Sequence, residues 1–178
     1  MAAEESQRQQ RLPGGFRIRS ATVGDTPVIH RFIHALAAYE RLSQECVATE
    51  EGLRATVFGE SPAAEVVLGE WDGTPVGMAL FFTNYSTFLA RPGIYMEDLF
   101  VLPEFRGRGF GKALLLHVGR LARQRGCGRF DWAVLKWNTP SIEFYRSLGA
   151  VPLDEWTVMR LAGDALARLP DPGEPTKS

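Results

Sequence analysis

The chain has little that would support a metal cage, a disulfide framework or a membrane span. Of 178 residues only two are cysteines, Cys46 and Cys127. They are far apart and lack C-x-x-C spacing, which argues against a zinc knuckle or a stapled scaffold and fits unreactive thiols in a reducing cytoplasm. His30, His34 and His117 are too scattered for a metal cluster. His30 and His34 sit one helical turn apart, but no third ligand accompanies them, so no metal is expected. No long apolar run occurs, and Met1 to Gln10 is polar and charged, so neither a spanning helix nor a signal peptide is expected. The formal charge is −1, from 20 Lys and Arg against 21 Asp and Glu, which gives no general reason to expect nucleic acid or an acidic membrane as partner. With 45% hydrophobic and 23% charged residues, the composition is that of a globular domain able to bury a core.

What the chain does have is Tyr95-Met96-Glu97-Asp98-Leu99-Phe100-Val101-Leu102-Pro103, followed at once by Arg106-Gly107-Arg108-Gly109-Phe110-Gly111-Lys112. The apolar run is short, rich in β-branched and aromatic residues, and ended by proline, so it reads as a strand. Beyond Gly111, Leu114, Leu115, Val118, Leu121 and Ala122 recur at helical spacing, and Gly126 supplies a stop. Strand, glycine-and-cation turn and helix make an anion site, because glycines let backbone N–H groups come close and the helix presents its positive end. Two familiar phosphate loops fail. A Walker A loop would need glycine where Arg106 stands and a hydroxyl where Ala113 stands, and neither Gly107 nor Gly109 begins a G-x-G-x-x-G series. Taken alone, the loop fits an ordinary surface turn about as well as an anion site.

The rest of the chain supplies context. Residues 1–15 are expected to be a disordered lead, 16–169 one domain and 170–178 a disordered proline-rich tail. Phe16-Arg17-Ile18-Arg19 alternates as a strand. Val28, Ile29, Phe32, Ile33, Leu36, Ala37 and Tyr39 form the stripe of a helix ending near Arg41, and Thr49 caps a second helix through about Val57. Strands are expected from Val66 to Trp71 and from Pro75 to Phe82 about an Asp72-Gly73 turn, with Asn84 to Pro92 a loop. Phe130 to Leu135 reads as a further strand. A helix starts at Asn138-Thr139-Pro140-Ser141 and stops at Gly149, and Val151–Leu153 with Trp156–Leu161 reads as a last strand or pair. One or two helical turns follow from Gly163 to Leu169. This order implies an α/β fold, a mixed sheet with helices on its faces.

The loop R-G-x-G-x-G-K after V-L-P-E-F resembles the coenzyme A pyrophosphate loop of the GNAT acyltransferase superfamily, in its R-x-x-G-x-G/A form. The segment Asn138-Thr139-Pro140-Ser141-Ile142-Glu143-Phe144-Tyr145-Arg146-Ser147-Leu148-Gly149-Ala150 resembles that superfamily's N-x-x-(S/A)-x-x-F-Y-x-x-x-G-(A/F). The resemblance covers roughly Phe16 to Leu161. It implies the GNAT fold, a mostly antiparallel six- to seven-stranded sheet with about four helices, and acetyl-CoA as cosubstrate without metal. It implies that Arg106, Gly107, Arg108, Gly109, Phe110, Gly111 and Lys112 hold the pyrophosphate, that Leu99, Phe100 and Val101 meet the pantetheine arm through their backbone, and that Asn138 and Ser141 touch the coenzyme. Tyr145 would protonate the leaving thiolate. Glu97 would take the amine's proton, directly or through water. Without the motif, Tyr145 reads as a core aromatic beside Phe144, and Glu97 with Asp98 as a solvated strand edge.

Leu36-Ala37-Ala38-Tyr39-Glu40, Tyr95 to Val101 and Trp137 to Tyr145 together resemble the spermidine/spermine (diamine) and thialysine N-acetyltransferases. By that resemblance Tyr39, Glu40, Glu97 and Asp154 line a pocket for a cationic amine, and the protein acts as a homodimer on a small-molecule primary amine. Two departures remove acid from this region. Lys136 stands where those families tend to carry an acid, and the stretch from Asn84 to Pro92 has Tyr85 and Phe88 but no acid. They leave a smaller amine open in place of a polyamine. An amino-acid or protein-amine acceptor, or an acyl-CoA sensor without turnover, remains a further alternative.

Overall fold

A computed structural model describes residues 10–11 and 14–171. Most of the expected lead and tail therefore lies outside the described residues. The described chain comprises two compact units, one through Leu135 and one from Lys136 onward.

The first unit is built on six strands in sequential order: β1 (Gln10–Arg11), β2 (Phe16–Ser20), β3 (Glu65–Trp71), β4 (Thr74–Ser86), β5 (Arg91–Val101) and β6 (Arg129–Trp132). Neighbours run antiparallel except β5 and β6, which are parallel and joined through α3 (Phe110–Gln124). A parallel neighbour needs such a crossover, whereas Asp72-Gly73, at φ of +48° and +82°, turns β3 straight into β4. Gln10–Arg11 pairs with β2 although it falls within the expected lead.

Between β2 and β3 come α1 (Thr26–Glu40) and α2 (Glu50–Val57). Ile29 and Phe32 of α1 and Leu53 and Val57 of α2 bury against Val66, Leu68, Met78, Leu80 and Phe100 on one face of the sheet. Thr49 caps α2 by accepting from the Gly52 amide. On the opposite face, Phe110, Leu114, Leu115, Val118 and Ala122 of α3 are buried. Phe110 stacks on Phe16 with ring centroids 4.1 Å apart and lies 5.3 Å from Trp71. That aromatic contact fixes where α3 starts.

Three expectations are corrected. Asn84 to Pro92 is not a loop: Thr83 to Ser86 pairs with Ile94 to Arg91, leaving only 87–90 as the turn. Gly93 fits this pairing closely: a Cβ there would come 2.3 Å from Asn84 Oδ1, 2.9 Å from Arg129 Cγ and 3.3 Å from Arg129 O, so the neighbours would have to shift. The strand expected to reach Leu135 ends at Trp132, where its pairing with β5 stops opposite Met96. The last strand or pair does not form, as 151–161 is irregular. The second unit, with α4 (Thr139–Ser147) and α5 (Gly163–Ala167), contains no strand among its described residues. Extended chain there has no ladder to join within its own unit, and Pro152 offers no N–H.

Candidate active site

The site is organised by an irregularity in β5. Leu80 pairs with Asp98 and Phe81 with Met96, so Glu97 is an extra residue, a β-bulge. The bulge switches parity. Met96 opposes Phe81, on the sheet face that α3 covers, whereas Asp98 opposes Leu80, on the face that α1 covers. Glu97 itself is exposed.

Past the bulge β5 loses its neighbour on one side, since β6 pairs only with Gly93 to Met96. Leu102 N–H donates to Val76 O at 2.9 Å, which sets the alternation along the ladder with β4. Phe100 and Asp98 therefore turn their backbone groups to β4, and Leu99 and Val101 turn theirs to the open edge. This corrects the expectation for Phe100, whose backbone is spent on Met78 and whose side chain is core. An open strand edge accepts an extended, amide-bearing chain by strand addition, which fits a pantetheine arm at Leu99 and Val101.

The glycine loop follows directly. Pro103–Phe105 makes a 3-10 turn, and Gly107 and Gly109 adopt φ of +75° and +82°. An added Cβ at either would meet nothing within 4 Å, so glycine is required by backbone conformation and the space above both is clear. The first helical bond of α3 runs from Ala113 N–H to Gly109 O. The N–H groups of Phe110, Gly111 and Lys112 thus have no helical acceptor and face the N-terminal approach. Clear space, free N–H groups and the helix dipole suit a pyrophosphate. Arg108 is exposed, its guanidinium 5.3 Å from the Phe105 ring, and Lys112 is exposed too. The Phe110 side chain is buried, so only its N–H is available to a ligand.

Arg106 departs from a simple phosphate contact. Its Nε–H donates to Val101 O at 3.0 Å, and its guanidinium lies 4.5 Å from the centroid of the Tyr39 ring and 5.9 Å from that of Phe100. The side chain reaches back to the last turn of α1, which also carries Glu40.

Electrostatics single out a residue that sequence reasoning named but did not place in the site. The Asp98 carboxyl is pushed up to about 6, first by burial, then by Glu97 and Glu40. Burial also raises Glu40. Asp98, Glu97 and Glu40 thus form one acidic group at the bulge, beside the open edge. Only the parity switch would have found Asp98, and the uninterrupted apolar run Leu99-Phe100-Val101 conceals it.

The second unit carries Asn138, Ser141 and Tyr145 on or next to α4. Asn138 caps the helix, its side-chain oxygen accepting from the Ser141 amide at 3.4 Å, and Pro140 sits in the first turn. The Tyr145 ring packs 5.2 Å from that of Phe144. Asp154 falls in a turn after the helix. Tyr39, Glu40, Glu97, Leu99 to Val101 and Arg106 to Lys112 thus belong to the first unit, and Asn138, Ser141, Tyr145 and Asp154 to the second. Among the described residues no group of three His, Cys, Asp or Glu could hold a metal ion, and no helix is long and apolar enough to cross a membrane.

Comparison with known proteins shows the family. The family model described as acetyltransferase (GNAT) matches residues 32–150. The chain is 39% identical to the thialysine N-epsilon-acetyltransferase of Sus scrofa, over 85% of this chain and 95% of that protein. It is 37% identical to L-ornithine N5-acetyltransferase NATA1 of Arabidopsis thaliana, over 84% of this chain and 86% of the relative. An integron cassette protein from the mobile metagenome of V. cholerae superposes with a TM-score of 0.73 at 25% identity, over 86% of this chain and 96% of its own. With the fold, the family model and these relatives in agreement, the chain belongs to the GNAT acetyltransferase family and is an N-acetyltransferase.

Proposed function

We propose that the protein transfers an acetyl group from acetyl-CoA directly to a terminal primary amine of a small basic amino acid or short diamine, such as ornithine or thialysine. The observation that carries this reading is the acidic group of Glu40, Glu97 and Asp98 beside the open edge of β5. A substrate with two cationic ends is attracted by several carboxylates, and one of these must also receive a proton. The reduced acidity at Lys136 and along 84–92 favours a short acceptor over a long polyamine.

The coenzyme thioester, when bound, supplies the acetyl group. The N–H groups of Phe110, Gly111 and Lys112, with the backbone of Gly107 and Gly109, hold its charged end. Leu99 and Val101 orient its extended arm, and one N–H of that edge polarises the carbonyl oxygen. Glu97, exposed at the bulge, receives the proton from the ammonium group, directly or through water. Asp98 and Glu40 hold the amine in place. Tyr145 O–H returns a proton to the thiolate, with Asn138 and Ser141 contacting the coenzyme and Asp154 the acceptor. The enzyme works as a cytoplasmic homodimer, and light scattering tests the dimer.

The deciding experiment follows thiol release from acetyl-CoA with L-ornithine, thialysine, L-lysine, putrescine and spermidine. Turnover should be highest with ornithine or thialysine and weakest with spermidine. No turnover with any of the five would overturn the substrate reading. Glu97→Gln and Tyr145→Phe should each lower kcat by about 10²-fold or more. Unchanged kcat in both would remove the roles given to these two side chains.

A further inference from the structure

We propose that Arg106 is a positioning residue that couples occupancy of the coenzyme loop to the acceptor side of the site. The inference rests on the loop being the coenzyme site and the last turn of α1 lining the acceptor. Arg106 stands in the loop that leads into α3, yet its side chain turns back from it. Nε–H is committed to Val101 O, and the guanidinium carbon lies over the Tyr39 ring at 4.5 Å and over the Phe100 ring at 5.9 Å from their centroids. Its two Nη nitrogens have no hydrogen-bond acceptor among the described residues and remain available to an anion.

The element it covers is one that needs support. Helix α1 ends at Arg41 in the left-handed region, φ +64°, a conformation strained for any residue but glycine. Leu42 N–H closes the end on Ala37 O at 2.8 Å. This turn presents Tyr39 and Glu40, and Glu40 acts electrostatically on Asp98. A cation stacked on Tyr39 is therefore a direct mechanical link from the anion loop to the carboxylates. An anion taken by Nη would hold the guanidinium in place and stiffen the end of α1. Coenzyme binding would thus preorganise the amine site, and by reciprocity amine binding would tighten the coenzyme. A lysine keeps the charge but cannot donate from Nε to Val101 O while offering separate Nη donors to an anion.

The test uses the full chain with coenzyme A as probe, measuring hydrogen exchange of residues 36–42 and coenzyme affinity by calorimetry. In the wild type, saturating coenzyme A should slow exchange there roughly fivefold or more. Arg106→Lys should still bind coenzyme A while losing that slowing, and Tyr39→Leu should do the same from the other side. Arg106→Lys should raise the amine KM about tenfold and, by reciprocity, abolish the tightening of coenzyme A by bound amine, while coenzyme A affinity measured without amine changes by less than about threefold. Slowing that persists in Arg106→Lys, or none in the wild type with coenzyme bound, overturns the coupling. Loss of coenzyme binding in Arg106→Lys assigns the side chain to the phosphate and overturns it too. A wild type that binds coenzyme A but acetylates no amine sinks the proposed substrate class, while the exchange experiment still decides the coupling.

Discussion

Asp98 holds its proton to a higher pH than a carboxyl in water, which bears on stability and on the proposed amine site. Burial removes water from the charged form, and Glu97 and Glu40 add like charge, so protonation persists to about pH 6 against an ordinary value of 3.8. The folded state thus binds a proton more tightly than the unfolded chain. Stability conferred by this residue is full below pH 3.8 and is lost as pH rises through 6. At neutral pH the ionised carboxylate costs the fold up to roughly 3 kcal/mol. Asp98→Asn should therefore raise Tm by several degrees at pH 8, and the gain should shrink below pH 4 in thermal melts. The same variant should lower kcat/KM for the amine about tenfold or more. The wild type should show a rise in kcat/KM across pH 6 that this variant lacks, since only the ionised form attracts the ammonium group. A wild-type profile flat between pH 5 and 7 would show that Asp98 does not titrate in the free enzyme.

The junction of loop and α3 works as one element, with its conformation set by glycine and its position by an aromatic. Gly109→Ala places a side chain at φ +82° over open space, so the effect is strain without a clash. The expected cost is about 1–2 kcal/mol, with coenzyme A affinity falling roughly tenfold by calorimetry as the N–H groups lose their aim. Phe110→Ala removes the buried ring that locks the start of the helix onto Phe16 and Trp71 and should destabilise by about 3–5 kcal/mol in denaturant titrations. A variant that lost coenzyme affinity without losing stability at Phe110 would contradict the anchoring role. At the other end of the site, the bulge at Glu97 both ends the pairing with β6 and re-aims Asp98, so one local irregularity creates the open edge and the acidic group together.

The first unit as a whole depends on a charge network that spans β2, β3 and the entry to α1. Glu70 is buried at 3% exposure and accepts from both Arg17 and Arg19, and Arg19 also grips Asp25 through two bonds of 2.7 Å. The hydrogen bonds from Arg19 hold the Asp25 carboxyl down to about 2. Its stabilising contribution is present above the ordinary 3.8 and disappears as pH falls through 2. Asp25→Asn should lower Tm at pH 7 and flatten the acid limb of the stability curve between pH 4 and 2. An unaltered limb would mean other carboxylates control acid unfolding.

Much of the fold was legible because it follows from local chemistry. Helical stripes at Ile29 and Phe32 or Leu114 and Val118, the Thr49 and Asn138 caps, and the Asp72-Gly73 turn each act within a few residues of chain. The glycine loop was legible for the same reason, since positive φ and free helical N–H groups are short-range properties. The expected Asn84–Pro92 loop was wrong because its pairing depends on position 93 accommodating Asn84 across the hairpin, a contact between strands. The expected last strand was wrong because a strand exists only with a ladder partner, which apolar alternation does not supply. Residue types and spacing alone determined the glycine turn between strand and helix, the capped helix from Thr139, and the order of elements as far as that helix. Tertiary pairing decided that Asp98 shares the acidic site, that Phe100 turns inward and that Arg106 folds onto Tyr39. A register shift and a stack between distant elements are set by the competition of whole faces for burial, which no window of sequence contains.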